Sequence, residues 1–355
     1  MSGAEPRLRA VLYGVGAMNL MAARMARDHG VEIVGAIARS PDKVGRDLDL
    51  LAGLAQPCGV QVDSNAERVL ASTRPDIVLH ATQSYLPDVF EQLALCVRHG
   101  ANVLTIAEEC LYPWHTSPQL SQQLDALARE NGVTVTGGGH QDGFWVNMIC
   151  QLMGTAHRVE AVHGRSQWNV DEFGLEVLRS RHVGKTLAAF RQDTEGQTLP
   201  PSFGQNVLGA LAHANDFDIA EHRYSLEPVL AEQDTWSNTL QRHIAPGSVI
   251  GLSEVDVLNT RQGVELRFEM SGFVYRPGQA DCNVWDVRGE PDLHLQTTAT
   301  PTDLTTCTQF VNRIPDVINA PAGFIPVTRL PSLRYRHMPF ARCVDPQRLR
   351  CLEGV

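Results

Sequence analysis

At 355 residues the chain exceeds the size at which a single hydrophobic core stops growing, so two domains are expected. Apolar residues make up 43% and charged residues 20%, an ordinary globular balance that argues against a fibre or a low-complexity scaffold. The 30 Lys and Arg against 40 Asp and Glu give a net charge of −10, the wrong sign for neutralising nucleic acid or an anionic membrane.

From residue 8 to about 140, short apolar runs alternate with helical patterns, the form of βαβ units on a parallel sheet. The strands read as Arg9–Tyr13, Glu32–Ile37, a weak one near Val60–Val62, Asp76–Ala81, Asn102–Ile106 and Val133–Thr136. Between the first two, Met18, Met21 and Met25 recur at helical spacing as a packing stripe, and Gly30 follows as a C-terminal cap. Pro87 to His99 reads as a crossover helix with Ser84 as its cap. Ser117-Pro118 starts another, running to about Asn131.

After about residue 155 the strands lengthen and alternate, as in Val249–Leu258, Val264–Tyr275 and Asp281–Arg288, the pattern of an antiparallel sheet with one covered face. Helical stretches near Phe173–Arg181 and Gly204–Ala214 interrupt them, and TCTQFVNRIPDVI returns to a helical pattern that breaks at Pro321. The expected fold is therefore an α/β, doubly wound Rossmann domain over 1–150, an α+β domain on an open, mostly antiparallel sheet over 151–300, and a segment over 301–355 returning to the first. The open sheet is an expected homodimer surface.

The first strand runs into Gly14-Val15-Gly16-Ala17-Met18-Asn19 and then a helix. The first glycine permits the tight turn and the second lets the backbone approach a pyrophosphate at the helix N-terminus, while Asn19 stands where a full fingerprint has a third glycine. The second strand ends in Ala38-Arg39-Ser40, followed by Lys43, without the acidic residue that would hold a ribose 2′-hydroxyl. NADP is therefore expected over NAD, with NAD also accepted. Thr82, Gln83 and Ser84 follow the fourth strand, where a dinucleotide crosses the sheet's carboxyl edge.

Glu108 and Glu109 directly follow the fifth strand on that same edge. A glycine turn, Gly137-Gly138-Gly139-His140-Gln141-Asp142-Gly143, then leads into Phe144-Trp145, which points to close backbone approach followed by a pocket wall. The eight cysteines are scattered without a Cys-x-x-Cys pair and read as reduced thiols. His80 and His140 have no second ligand at suitable spacing, so no metal is expected. The N-terminal MSGAEPRLRA has no apolar run and no stretch approaches the roughly 20 residues of a bilayer span, so a cytoplasmic protein that does not engage a membrane is expected.

The block KVGRDLDLLAG, the run EECLYPW, the glycine turn before Phe144-Trp145 and the C-terminal VNRIPDVINAPAGF together resemble the dihydrodipicolinate-reductase-like dehydrogenases. Within these, the chain is most similar to 2,4-diaminopentanoate dehydrogenases and their relatives, the native amine dehydrogenases, over nearly its whole length. The resemblance implies that Glu108 is the catalytic carboxylate and Glu109 the acidic position after it. It also implies that Trp145, with Trp168 and Phe173, walls a substrate pocket that Phe144 and His140 adjoin. Where relatives carry Asn-Pro-Gly this chain has His140-Gln141-Asp142-Gly143, and the aromatic surroundings favour the amine dehydrogenase branch.

The activity implied is reversible reductive amination of a small aldehyde or ketone with ammonia. One alternative is a diamine or amino-acid dehydrogenase that uses Arg165, Arg179 or Arg181 to hold a second polar group. Another is a non-catalytic NADPH-sensing regulator, against which the sheet-edge carboxylates count.

Overall fold

The structure of the protein is a computed structural model in which residues 7–196 and 201–349 are described; Cys351 and the first six residues lie outside them. The chain divides into two compact units, Met1–Asn147 with Asp303–Val355, and Met148–Thr302.

In the first unit the elements alternate as the hydrophobic pattern dictates: β1 (Leu8–Tyr13), α1 (Ala17–Asp28), β2 (Val31–Ile37), β3 (Val62–Asp63), α2 (Ala66–Thr73), β4 (Ile77–His80), α3 (Leu86–Arg98), β5 (Asn102–Thr105), α4 (Pro118–Glu130) and β6 (Thr134–Gly137). The seven-stranded sheet runs from a short strand at Gly323–Phe324 through β6, β5, β4, β1 and β2 to β3, and every neighbouring pair is parallel. Successive side chains of β1 point to opposite faces, so Leu8, Ala10 and Leu12 enter one core layer and Val11 and Tyr13 the other. Helices therefore cover both faces, as a doubly wound sheet requires. On α1 the fully buried face is Asn19, Ala22, Ala23 and Ala26, with Met18, Met21 and Met25 packed at its margin.

In the second unit β7 (Arg158–Asn169), α5 (Phe203–Ala214), β8 (Ile219–Leu230), β9 (Val249–Thr260), β10 (Glu265–Phe273), β11 (Cys282–Glu290) and β12 (Leu293–Thr298) build a six-stranded sheet of order β12-β11-β7-β10-β9-β8. Its pairs are antiparallel except β7 with β10. Along β10, Leu266, Phe268 and Met270 are buried while Glu265, Arg267, Glu269 and Ser271 are half-buried on the opposite face. The helix expected over Phe173–Arg181 spans only Leu175–Ser180, because Gly174 at φ +85° separates it from the turn at Val170–Glu172.

The chain then returns to the first unit through α6 (Thr302–Asn312) and α7 (Ile314–Asn319). The sequence pattern predicts one helix here. Two form because Pro315, in the first turn of the second, has no N–H to continue the ladder. Among the described residues no helix is long and apolar enough to cross a membrane.

Candidate active site

The carboxyl edge of the parallel sheet gathers the predicted residues of the first unit. Gly14 adopts φ +91°, and a Cβ there would lie 2.1 Å from the Ala81 carbonyl oxygen, so only glycine lets the turn after β1 pack on the end of β4. A Cβ on Gly16 would meet nothing within 4 Å, which leaves open space over the N-terminus of α1. That terminus has no side-chain cap and no acidic residue in its first turn, so its N–H groups and dipole fit a dinucleotide pyrophosphate. The Lys43 ammonium adds positive charge at the same place, donating to the Val15 carbonyl at 2.8 Å.

Asn19 turns inward rather than toward a ligand. Its Nδ2 donates to the carbonyls of Tyr13, Gly14 and Leu79, binding the glycine turn to β4, so the third fingerprint position acts here by hydrogen bonding instead of close packing. At the end of β2, Arg39 is exposed, with its positive charge near the Tyr13 phenol, whereas the Ser40 hydroxyl donates to Asp42. The Thr82 hydroxyl is also committed, to Gln92 Oε1 at 3.0 Å, so residues 82–84 have their backbone, the exposed Gln83 and the half-buried Ser84 to offer a ligand.

Behind this edge His80 is fully buried. Its Nε2 lies 3.0 Å from the acceptor Gln92 Oε1 and therefore carries the proton. Its Nδ1 accepts from the Thr105 hydroxyl at 2.8 Å. Thr105 Oγ1 in turn accepts from the Ala107 N–H, which fixes the start of the turn carrying the two carboxylates. Burial holds the His80 pKa down at about 4, so the imidazole is neutral and the relay intact near neutral pH.

Glu108–Leu111 form a single 3₁₀ turn straight after β5. A Cβ at Gly137 would lie 2.3 Å from the Cys110 carbonyl carbon, so β6 ends in glycine to let this turn pack on it. The two carboxylates part company. Glu109 is 2% exposed and accepts the Leu86 N–H at 2.6 Å, the Thr116 hydroxyl at 2.6 Å and the Ser117 hydroxyl at 2.7 Å. It therefore caps α3, displacing the Ser84 cap read from the sequence, and takes the hydroxyl that Ser117 was expected to use as the cap of α4. Glu108 is half-buried, and its carbonyl accepts from Gln141 Nε2 at 3.2 Å.

The turn after β6 is fixed from behind. His140 Nδ1 bonds Thr305 Oγ1 at 2.6 Å, the Gly143 N–H donates to Gln309 Oε1 at 2.7 Å, and the buried Arg313 guanidinium grips Asp142 through Nε at 2.6 Å and Nη2 at 2.9 Å. Asp316 and Arg336 extend this buried network. The His140 ring stacks on Phe144 with centroids 4.6 Å apart and meets the edge of Trp145 at 5.5 Å, so these three rings form one aromatic cluster at the start of a π-helical turn.

In the second unit Trp168 and Phe173 pack edge to face, 5.0 Å between centroids. Arg181 lies over the Trp168 ring and pairs with Glu254 at 2.6 Å, Arg179 pairs with Glu176, and Arg165 is exposed. Sequence reasoning passes over Gln309, Arg313 and the individual weight of Gln141. The available signal is the polar series 309, 313 and 316, which recurs at helical spacing beside the apolar Phe310, Val311, Ile314 and Val317.

Comparison with known proteins agrees with this architecture. Residues 145–340 match the model of the 2,4-diaminopentanoate dehydrogenase C-terminal domain. A 2,4-diaminopentanoate dehydrogenase of Acetoanaerobium sticklandii is 28% identical over 342 residues, 92% of this chain and 94% of that protein. The structure of an amine dehydrogenase from Mycobacterium smegmatis is 52% identical, covers 93% of this chain and 98% of its own, and superposes with a TM-score of 0.88. A protein of gentamicin A biosynthesis solved in complex with NAD shares the fold at 16% identity and a TM-score of 0.52, covering 84% of this chain and 74% of its own.

Proposed function

The chain belongs to the family of 2,4-diaminopentanoate and amine dehydrogenases, and from that premise we propose that it aminates small, uncharged aldehydes or ketones with ammonia, reversibly, with Glu108 as its acid–base residue. It is a nicotinamide-dependent oxidoreductase acting on CH–NH2 donors, which leaves the non-catalytic sensor reading without support. The observation that carries the proposal is the division between the adjacent carboxylates: Glu109 is consumed by three structural donors, and Glu108 stands half-buried on a fixed turn at the sheet's carboxyl edge.

Ammonia at neutral pH is mostly ammonium, which cannot attack a carbonyl. In this reading Glu108 holds the ion and accepts a proton, and ammonia adds to the carbonyl carbon. The group then returns that proton to the carbinolamine hydroxyl, which leaves as water, and as a carboxylate again it faces the cationic iminium. The bound nicotinamide supplies the hydride. Gly14, Gly16, Ala17 and Met18 would hold its pyrophosphate, with Lys43 reinforcing the turn, and Gln83 and the backbone of 82–84 would line its path along the edge. Arg39, exposed at the end of β2, supports a preference for NADP over NAD.

The Trp145 cluster fits a wall that limits substrate size. The diamine or amino-acid alternative is less well supported, because Arg181 and Arg179 already pair with Glu254 and Glu176. We also propose a homodimer through the half-buried face of the second sheet, where His163 pairs with Glu265 and Arg267 with Glu269, and a cytoplasmic setting that suits the free cysteines among the described residues.

The test is NAD(P)H consumption against a panel of small ketones, aldehydes, keto acids and amino ketones, with and without ammonia, for wild type and Glu108→Gln. Ammonia-dependent turnover of a plain ketone, falling about 10²–10⁴-fold in the variant with cofactor binding intact, is the expected result. Turnover independent of ammonia would overturn the reaction class. Near-wild-type turnover in the variant would overturn the role of Glu108.

A further inference from the structure

The polar side chains of the turn at 140–142, with the Gly143 N–H, are held from behind by α6 and the residue that follows it, with one exception. His140 bonds Thr305, Asp142 bonds Arg313 and Gly143 bonds Gln309, while Gln141 Oε1 is buried without a hydrogen-bond partner. Gln141 is only 4% exposed. Its amide cannot be turned over to satisfy that oxygen, because Nε2 donates to the Glu108 carbonyl at 3.2 Å and a flip would set two carbonyl oxygens against each other. A buried acceptor in this state costs free energy that a bound N–H donor would recover. Here it is fastened to the backbone of the residue proposed as the acid–base group.

We propose that Gln141 Oε1 accepts a hydrogen bond from the reacting nitrogen, as a positioning and specificity residue that favours amination over plain carbonyl reduction. The inference rests on the amine dehydrogenase reading and deepens it. Ammonium and the iminium that follows carry only N–H donors toward such a site. A ketone or aldehyde offers only acceptor oxygen. An amide oxygen held at this turn, fastened through its own nitrogen to the Glu108 backbone, would therefore attract nitrogen-bearing species and repel an unreacted carbonyl oxygen. Arg313 and Gln309 serve the same end at one remove: they immobilise residues 142 and 143, so that residue 141 has one position.

Two variants separate this role from a structural one. Gln141→Met keeps the side-chain length and removes the acceptor. In Gln141→Glu, burial raises the carboxyl pKa, so its protonated form still donates to the Glu108 carbonyl and still presents an acceptor oxygen. For Gln141→Met the ammonia KM is expected to rise about tenfold or more, the ketone KM to stay within about threefold, and the melting temperature to stay within a few degrees of wild type, since removal of an unsatisfied acceptor offsets the loss of the Nε2 bond to the Glu108 carbonyl. Gln141→Glu is expected to keep the ammonia KM within about threefold of wild type.

Calorimetric titration of propan-2-amine into the enzyme gives a readout without turnover, and its affinity should fall with the ammonia KM in Gln141→Met alone. An unchanged ammonia KM and amine affinity in Gln141→Met, with wild type active, would overturn the role of Gln141 and leave the reaction class standing. Equal losses in both variants together with lower melting temperatures would make the residue structural. A wild-type enzyme showing neither ammonia-dependent turnover nor amine binding would overturn both readings.

Discussion

Replacing Glu109 by Gln is the sharpest test of how the two adjacent carboxylates divide their work. The buried carboxylate receives three charge-assisted hydrogen bonds, from the Leu86 N–H and the hydroxyls of Thr116 and Ser117. An amide of the same shape can keep all three contacts if its oxygen takes the Leu86 N–H and its NH2 donates to the hydroxyls, which rotate to accept. What it loses is the charge: roughly half the strength of each bond, plus the attraction of an anion to the N-terminus of α3, about 0.3–1 kcal/mol. Relief from burying a charge offsets part of this, leaving a net loss of about 1–3 kcal/mol, or about 3–10 °C in the melting temperature of a unit of this size. Turnover should stay within about tenfold of wild type, against the 10²–10⁴-fold loss expected of Glu108→Gln. Thermal melts and ammonia-dependent NAD(P)H oxidation on both variants decide it. A Glu109→Gln enzyme that melts like wild type and loses more rate than Glu108→Gln would refute the assignment.

Three further expectations follow from the same geometry. Arg39→Ala should weaken NADPH binding by about 10–100-fold and leave NADH nearly unchanged, since a charge-assisted bond to phosphate contributes about 1.5–3 kcal/mol; equal losses in cofactor titrations would remove its phosphate role. Trp145→Ala should gain rate on bulkier ketones and lose it on small ones, at a stability cost of about 3 kcal/mol for a largely buried indole, and a uniform fall across a substrate panel would make Trp145 structural. His80, held at a pKa of about 4 by burial, binds fewer protons folded than unfolded between pH 4 and about 6.5. Its stability contribution is therefore full above about 6.5 and lost as pH falls toward 4, about 3 kcal/mol in all. Unfolding curves for His80→Gln should lack that part of the acid slope, and an identical slope would exclude His80 as its source.

The parts of this protein legible in the sequence are those whose determinants are local. Strand, glycine turn and helix follow one another within residues 8–28, and the strands of the second sheet alternate by twos, so both folds can be read from periodicity. The doublet at 108–109 marks the sheet's carboxyl edge but not how its two members divide, because that depends on donors at 86, 116 and 117, brought in by the packing of α3 and α4. Asn19 illustrates the same limit: as a missing glycine it reads as a defect, while its three carbonyl partners include Leu79, 60 residues away. Ser84 and Ser117 fit the cap rules, yet a buried carboxylate with a stronger claim takes over both sites.

The Asp142–Arg313 pair spans 171 residues and shows why the C-terminal segment belongs to the first unit. An ion pair buried this completely gains little net stability over apolar packing, but removing one partner leaves an uncompensated charge in the core and costs several kcal/mol. Its use is positional. Of the carboxylates around the candidate site, Glu109, Asp142 and Asp316 are buried and paired, one capping a helix and two locking the turn that bears His140, Gln141 and Trp145. Glu108 is the half-buried one. Adjacent positions in the chain, 108 and 109, are thus sorted by the donors that tertiary packing brings to them: the buried carboxylate orders α3 and α4, and the half-buried one stands at the sheet's carboxyl edge, where the proposed chemistry would need it.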